Sequence, residues 1–164
     1  MDKLMPALQT YSILAAAMAA GANLSTSIIT FPALRHAPDQ LLLTQWQTLY
    51  DSGLVPVVTT ALSSAAGFAA LAYRTSLAPA GTVSTSQRNW YAAAAVAMLG
   101  LAPYTRIVMG GTIDELSRRA KARKEESEKA DTRALVEQWG TLNLWRGMLL
   151  LMGTGVGVWA SVAA

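Results

Sequence analysis

LVEQWGTLNLWRGMLLLMG (Leu135–Gly153) is the stretch on which the reading of the chain turns. Its second half is apolar enough for a membrane span, yet it opens with Trp139, Asn143 and Arg146, residues that a span avoids or uses sparingly. Spacings of four and three put the three side chains on one helical stripe, which Leu150 continues as an apolar position toward the membrane centre. An interfacial anchor accounts for a Trp at headgroup level and for an Arg that snorkels there. An amide between them gains little from lipid and much from another helix, so the stripe is read as facing the interior of a helical bundle.

Composition extends this reading to the rest of the chain. Only 14% of the 164 residues are charged, and the mean hydropathy is positive. Many of the charges crowd between Asp114 and Glu137, which leaves long uncharged stretches elsewhere. A span needs about 20 mostly apolar residues. Four segments qualify, at about 7–34, 54–73, 90–109 and 139–162, the third interrupted near its end by Pro103 and Arg106. The fold expected is all-α: an integral membrane four-helix bundle forming one domain over residues 1–164, with both termini on one side. The first segment is Ala-rich and N-terminal like a signal peptide, but its apolar run is longer than a signal core, and Asp2 beside Lys3 makes a poor basic leader. It is read as a retained span.

The connections have their own signatures. In DQLLLTQWQTLYDSG (39–53), Leu42, Trp46, Leu49 and Tyr50 share one face, which predicts a short amphipathic helix at the membrane surface ending at Gly53. LAPAGTVSTSQRN (77–89) has the composition of a flexible loop. Thr112 and Glu115 have capping-box spacing and predict the start of a charged helical extension before the fourth span. There the pairs Lys121/Glu125, Lys124/Glu128 and Glu125/Lys129 predict a helical hairpin solvated on all sides, each pair adding about 0.2–0.5 kcal/mol. Lys and Arg are commoner in the first and third loops, so those loops are expected on the cytoplasmic side.

With four spans, one membrane face collects nearly all the chemically capable residues. They are His36, Trp46, Tyr50, Asp51, Tyr104, Thr105, Arg106, Asp114, Trp139, Asn143 and Arg146, with Asn23 deeper in the first span. The opposite face is read as holding Ser, Thr, the termini and little else. His36 reads either as a solvated loop residue or as a proton-transfer group whose ordinary pKa suits the task. Asp51 reads as a site carboxylate or as a helix cap before Gly53. Asn23 reads as an interhelical hydrogen bond or a ligand contact, and its NLS triplet inside a span is no glycosylation site. Gly153, Gly155 and Gly157 read as a close helix contact. The lack of Cys removes disulfides, thiolate metal sites and Cys nucleophiles. HExxH, paired Glu-x-x-His and nucleotide-binding glycine loops are missing too, so no metal site is expected. A net charge of +3, with bases alternating with acids, gives no support to a nucleic-acid partner.

PALRHAPDQLLLTQWQTLYDSG (32–53), PYTRIVMGGTIDEL (103–116) and LVEQWGTLNLWRGMLL (135–150) together resemble the anthrone oxygenase family, small four-span membrane proteins of aromatic polyketide pathways. The likeness rests on W-x3-N-x2-R at Trp139, Asn143 and Arg146, on W-x3-Y-x2-G at Trp46, Tyr50 and Gly53, and on Asn23, Pro103 and Thr105. One departure is Gly111, Thr112 and Ile113, where the family commonly reads Pro-Thr-Asn. The resemblance implies oxidation of an anthrone to an anthraquinone, with dioxygen as co-substrate and no metal, flavin or other cofactor. Under that implication Arg146 and Asn143 stabilise an oxyanion or superoxide, and Trp46, Tyr50 and Trp139 form aromatic walls. His36 is the preferred base ahead of Asp51 and Asp114, Asn23 orients a substrate oxygen, and Tyr104 and Thr105 contact substrate. The partners implied are a flat aromatic polyketide and membrane lipid; self-association into a homo-oligomer stays open. A eukaryotic source would place the chain in the endoplasmic reticulum or a derived vesicle. Composition alone fits two other readings equally, a non-catalytic tetraspan scaffold and a small-molecule carrier.

Overall fold

A computed structural model describes residues 4–77, 85–122 and 131–162, all of them helical apart from short turns. Helix α1 (Leu4–Ser25) continues through a π-helical turn (Thr26–Thr30) into the short α2 (Phe31–Leu34). After a tight turn come α3 (Asp39–Ser76) and α4 (Thr85–Leu99). A break at Gly100 leads into α5 (Leu101–Pro103), a second π-helical turn (Tyr104–Met109) and α6 (Gly110–Lys121). Helix α7 (Thr132–Val162) completes the bundle. Neighbours pack in a closed ring: α1 on α3, α3 on α4, α4 on α7, and α7 on α1.

The bundle is dressed for lipid. Ile28, Ile29, Val55, Val96, Ile107 and Trp159 lie exposed on its flanks, which water would penalise and hydrocarbon does not. Three helical stretches, Leu4–Leu34, Leu41–Ser76 and Thr85–Lys121, are long and apolar enough to cross a membrane, and the chain is a multi-pass helical membrane protein. The fourth long helix, α7, packs in the ring like the others.

Two clusters fill the interior. Along the middle and far half, Ala16, Ala19, Ala61, Ala65 and Ala94 bring the helices close around Phe68, Tyr91, Met98 and Leu150. At the near end Phe31, Leu43, Trp46, Met109, Leu116 and Trp139 form an aromatic-rich cap. Glycines on one side of α7 allow close approach: an added Cβ at Gly140 would meet the Phe31 ring at 2.8 Å, and one at Gly157 would overlap Phe68. Gly153 packs on Met98 and Ala97, whereas Gly155 faces open space, so the expected contact uses Gly153 and Gly157 and skips Gly155. Residues four apart share a helical face; residues two apart do not.

Several boundaries differ from expectation. The amphipathic segment does not stop at Gly53 but runs through Gly53 and Pro56 as one 38-residue helix into the second span. In apolar surroundings a break would expose unpaired backbone groups, so the helix continues where water would have let it end. Nor does a helix start at Thr112: α6 follows on from the third span, with Met109 as its first flanking residue and no side-chain cap. The extension is not solvated on all sides either. Arg119 is 5% exposed and donates to Glu115 (2.6 Å), Asp131 (2.7 and 2.9 Å) and Thr132 (2.8 Å), tying α6 to the start of α7. Arg133 donates to the carbonyls of Arg35 and Ala37 and so pins the first turn to α7. The expected Lys121/Glu125, Lys124/Glu128 and Glu125/Lys129 pairs, and residues 78–84 of the expected loop, lie outside the described residues. The far end also holds more than Ser and Thr, because buried Tyr91 accepts from Gln9 (2.7 Å) and shares a hydrogen bond with Ser161 (3.2 Å).

Candidate functional site

The stripe on α7 faces the bundle. Trp139, Asn143 and Leu150 are buried, and Arg146, partly buried, reaches across to two other helices. Its Nε donates to Asn23 Oδ1 at 2.9 Å, its Nη2 to Asn143 Oδ1 at 2.6 Å, and its Nη1 to Thr105 Oγ1 at 3.4 Å. Asn143 is 1% exposed and uses its amide nitrogen on Asn23 O (3.1 Å) and Ser27 Oγ (2.8 Å). Asn23 in turn donates to Ala19 O at 3.0 Å. The two amides are therefore occupied in aiming the guanidinium. Among the described residues Arg146 has no ion-pair partner, so its positive charge is held by neutral acceptors alone.

Both π-helical turns border this network. Thr26–Thr30 brings Ser27 under Asn143, and Tyr104–Met109 brings Thr105 toward Arg146. Each sits beside a proline, Pro32 or Pro103, whose missing N–H already breaks the regular ladder. Wide turns of this kind recur at functional sites.

A cavity of about 290 Å³ opens in front of the network. Asn23, Thr105, Trp139, Asn143 and Arg146 form its polar end, with Tyr50, Arg106 and Asp114 toward the membrane surface. Its remaining walls are apolar: Leu54, Val58, Leu62, Leu99, Ala102 and Ile113 among others. A second, apolar cavity of about 270 Å³ lies between α4 and α7, and Arg146 borders it as well. Among the described residues, no group of three or more His, Asp or Glu could hold a metal ion.

The residues named from sequence separate into four groups. Asn23, Tyr50, Thr105, Asp114, Trp139, Asn143 and Arg146 come together around the first cavity. Trp46 stands behind it, fully buried, stacked on Tyr50 at 5.5 Å and edge-on to Trp139 at 5.8 Å. Tyr104 borders the second cavity and donates to Leu142 O at 3.2 Å. His36 and Asp51 line neither: His36 is exposed in the first turn, and Asp51 is exposed within α3, where it accepts from Gln47 at 2.8 and 2.9 Å rather than capping a helix. Asp114 pairs with Arg106 at 3.7 Å, with both side chains well exposed. Ser27 was missed, although its place four residues after Asn23 puts it on the same helical face. The apolar walls carry no sequence signal that separates them from lipid-facing positions.

Known proteins align with most of the elements that build this site. The family model described as anthrone oxygenase matches residues 46–156, from the buried Trp46 to beyond Arg146. The chain belongs to the anthrone oxygenase family. An anthrone oxygenase from Claviceps purpurea (strain 20.1) is 33% identical over 147 residues, covering 84% of this chain and 78% of that protein. No solved structure matches the chain. Ile113, at the departure from the expected pattern, lines the cavity with an apolar side chain.

Proposed function

We propose that this chain oxidises an anthrone to the corresponding anthraquinone with dioxygen, with no metal or organic cofactor, and that the cavity around Arg146 is where it does so. One observation carries the reading: a guanidinium aimed by Asn23, Asn143 and Thr105, without a carboxylate partner among the described residues, at the inner end of a largely apolar cavity. Such a group is a preorganised partner for charge that develops only during the reaction. A volume of about 290 Å³ suits a compact flat ligand, at the lower end of the roughly 300–1,000 Å³ usual for small-molecule sites.

The chemistry runs in four steps. A base takes one proton from the anthrone methylene, and the electron pair left behind spreads into the rings and onto the carbonyl oxygen, giving a phenolate-like anion beside Arg146. Of the three base candidates, Asp114 alone lines the cavity, so the proton is assigned to its carboxylate. The anion passes one electron to dioxygen; the resulting carbon radical and superoxide combine into a C–O bond, and a proton completes the hydroperoxide. Loss of the second methylene proton with cleavage of the O–O bond releases water and leaves the new carbonyl. One dioxygen is consumed, one of its atoms entering the quinone and the other water. The second cavity gives dioxygen, itself apolar, an approach to the same guanidinium. Tyr50 and Trp139 flank the substrate rings, and Asn143 acts as a positioning residue.

The test is incubation of purified, chelator-treated protein with an anthrone in air and under nitrogen. Quinone formation well above the spontaneous rate, in air only, is the expected result. Conversion at the background rate would leave the scaffold or carrier reading in its place.

A further inference from the structure

The main cavity is not enclosed, and it opens beside the rod that runs from α4 through α5 and the second π-helical turn into α6. Along their far half α3 and α4 are zipped together, with Phe68 stacked on Tyr91 at 6.4 Å and Leu71, Ala94 and Ala95 buried. Near the cavity the rod changes character. Gly100 interrupts the α-helix, Pro103 follows, and the π-helical turn Tyr104–Met109 widens the backbone. At this level Leu54, Val58 and Leu62 of α3 face Leu99 and Ala102 across the cavity. Leu54, Leu62 and Leu99 are themselves exposed, at 40%, 48% and 51%. Side chains that line the cavity therefore also reach the outer surface, within the two membrane-crossing stretches Leu41–Ser76 and Thr85–Lys121. The other edge of the cavity carries the exposed Arg106–Asp114 pair, a charged and hydrated rim.

We infer that the cleft between α3 and the α4–α5 segment is a lateral portal through which a flat, uncharged aromatic ketone dissolved in the bilayer reaches Arg146. The inference rests on the proposed function for the identity of the ligand, but the portal itself stands on the apolar walls and their exposure. A polycyclic ketone partitions into hydrocarbon, so lipid is its reservoir. Entry through Leu54, Val58, Leu62, Leu99 and Ala102 keeps the rings in apolar surroundings throughout. Entry past Arg106 and Asp114 would carry them across charged, solvated groups. The polar end then meets the ligand's oxygen last, which orients it with that oxygen toward Arg146.

The chain has no cysteine, so Leu62→Cys, Ala102→Cys and Ile107→Cys each give the full protein a single nitroxide attachment site in phosphatidylcholine vesicles. Ile107 is the control, 81% exposed and outside the cavity. The nitroxides at positions 62 and 102 should be relaxed by dioxygen rather than by an aqueous nickel chelate, and should lose mobility when anthraquinone is added; the label at 107 should not respond to the quinone. Stronger relaxation by the chelate at 62 and 102, or mobility unchanged by anthraquinone, overturns the portal. In parallel, Ala102→Trp narrows the cleft at an exposed position and should lower kcat/KM for vesicle-dissolved anthrone roughly tenfold. An unchanged kcat/KM also overturns the portal. Immobilisation by anthraquinone in a protein that forms no quinone would uphold the portal while refuting the oxygenase reading.

Discussion

Replacing Arg146 with Gln separates what the cation does for the fold from what it does for the reaction. The wild-type guanidinium makes hydrogen bonds at 2.9, 2.6 and 3.4 Å to Asn23, Asn143 and Thr105. Gln is shorter and can keep one of these partners, so two bonds are lost. Interhelical hydrogen bonds in membrane bundles average about 0.6 kcal/mol, which puts the structural cost near 1 kcal/mol. In the proposed reaction the transition state loses much more, because the neutral amide cannot match the charge that would develop on the substrate oxygen. Loss of one such donor costs about 2.7–4 kcal/mol, or 10²–10³ in kcat. The assay is initial-rate quinone formation by detergent-purified protein, corrected for spontaneous oxidation, beside a thermal unfolding curve. Arg146→Lys should fall between the two, since it keeps the charge and loses the fork that reaches three acceptors. A Gln variant that is folded and turns over within threefold of wild type would refute the role assigned to Arg146.

Other consequences follow from the same geometry. Asp114→Asn should slow turnover by about 10² or more, as expected for loss of a general base, while His36→Ala and Asp51→Asn stay near wild type; equal losses in all three would return the base to the first loop. Gly140→Ala should destabilise the bundle by about 1–3 kcal/mol, because its Cβ meets the Phe31 ring at 2.8 Å, whereas Gly155→Ala, with nothing within 4 Å, should be neutral or gain up to about 1 kcal/mol of helix propensity. Unfolding curves that rank the two the other way would contradict the packing described for α7. Arg119→Ala should lower the unfolding midpoint by removing the link from α6 to Asp131 and Thr132, and should leave KM for the anthrone little changed.

The stripe on α7 was legible because spacing alone fixes a shared helical face, and because an amide flanked by Trp and Arg has more to gain from another helix than from lipid. Asn23 and Thr105 were legible from topology, which brings the ends of the first and third spans to one membrane face. The role of Asn143 was not. Spacing shows that it is close to Arg146 but not that both its amide hydrogens are spent on Asn23 O and Ser27, which makes it an aiming residue. That His36 and Asp51 stand outside both cavities was not legible either: a titratable side chain near a site reads the same from sequence whether it points inward or out. The continuous helix through Gly53 and Pro56 contradicts rules that hold in water and relax where unpaired backbone meets lipid. The break at Gly100 and the π-helical turn after Pro103 lie beside the cavity; the proline marks their place, but nothing in the composition gives the width of the gap.

The proposed function has dioxygen react with an anthrone under the control of Arg146. It is tested most directly by running the reaction under ¹⁸O₂ with the native protein and with the folded Arg146→Gln variant, following oxygen uptake and the mass of the quinone together. The expected result is one dioxygen consumed per quinone, one ¹⁸O in each quinone formed by the native protein, and a rate in the variant close to the spontaneous one. Quinone that forms at the native rate in the variant, or whose new oxygen comes from water, would contradict it.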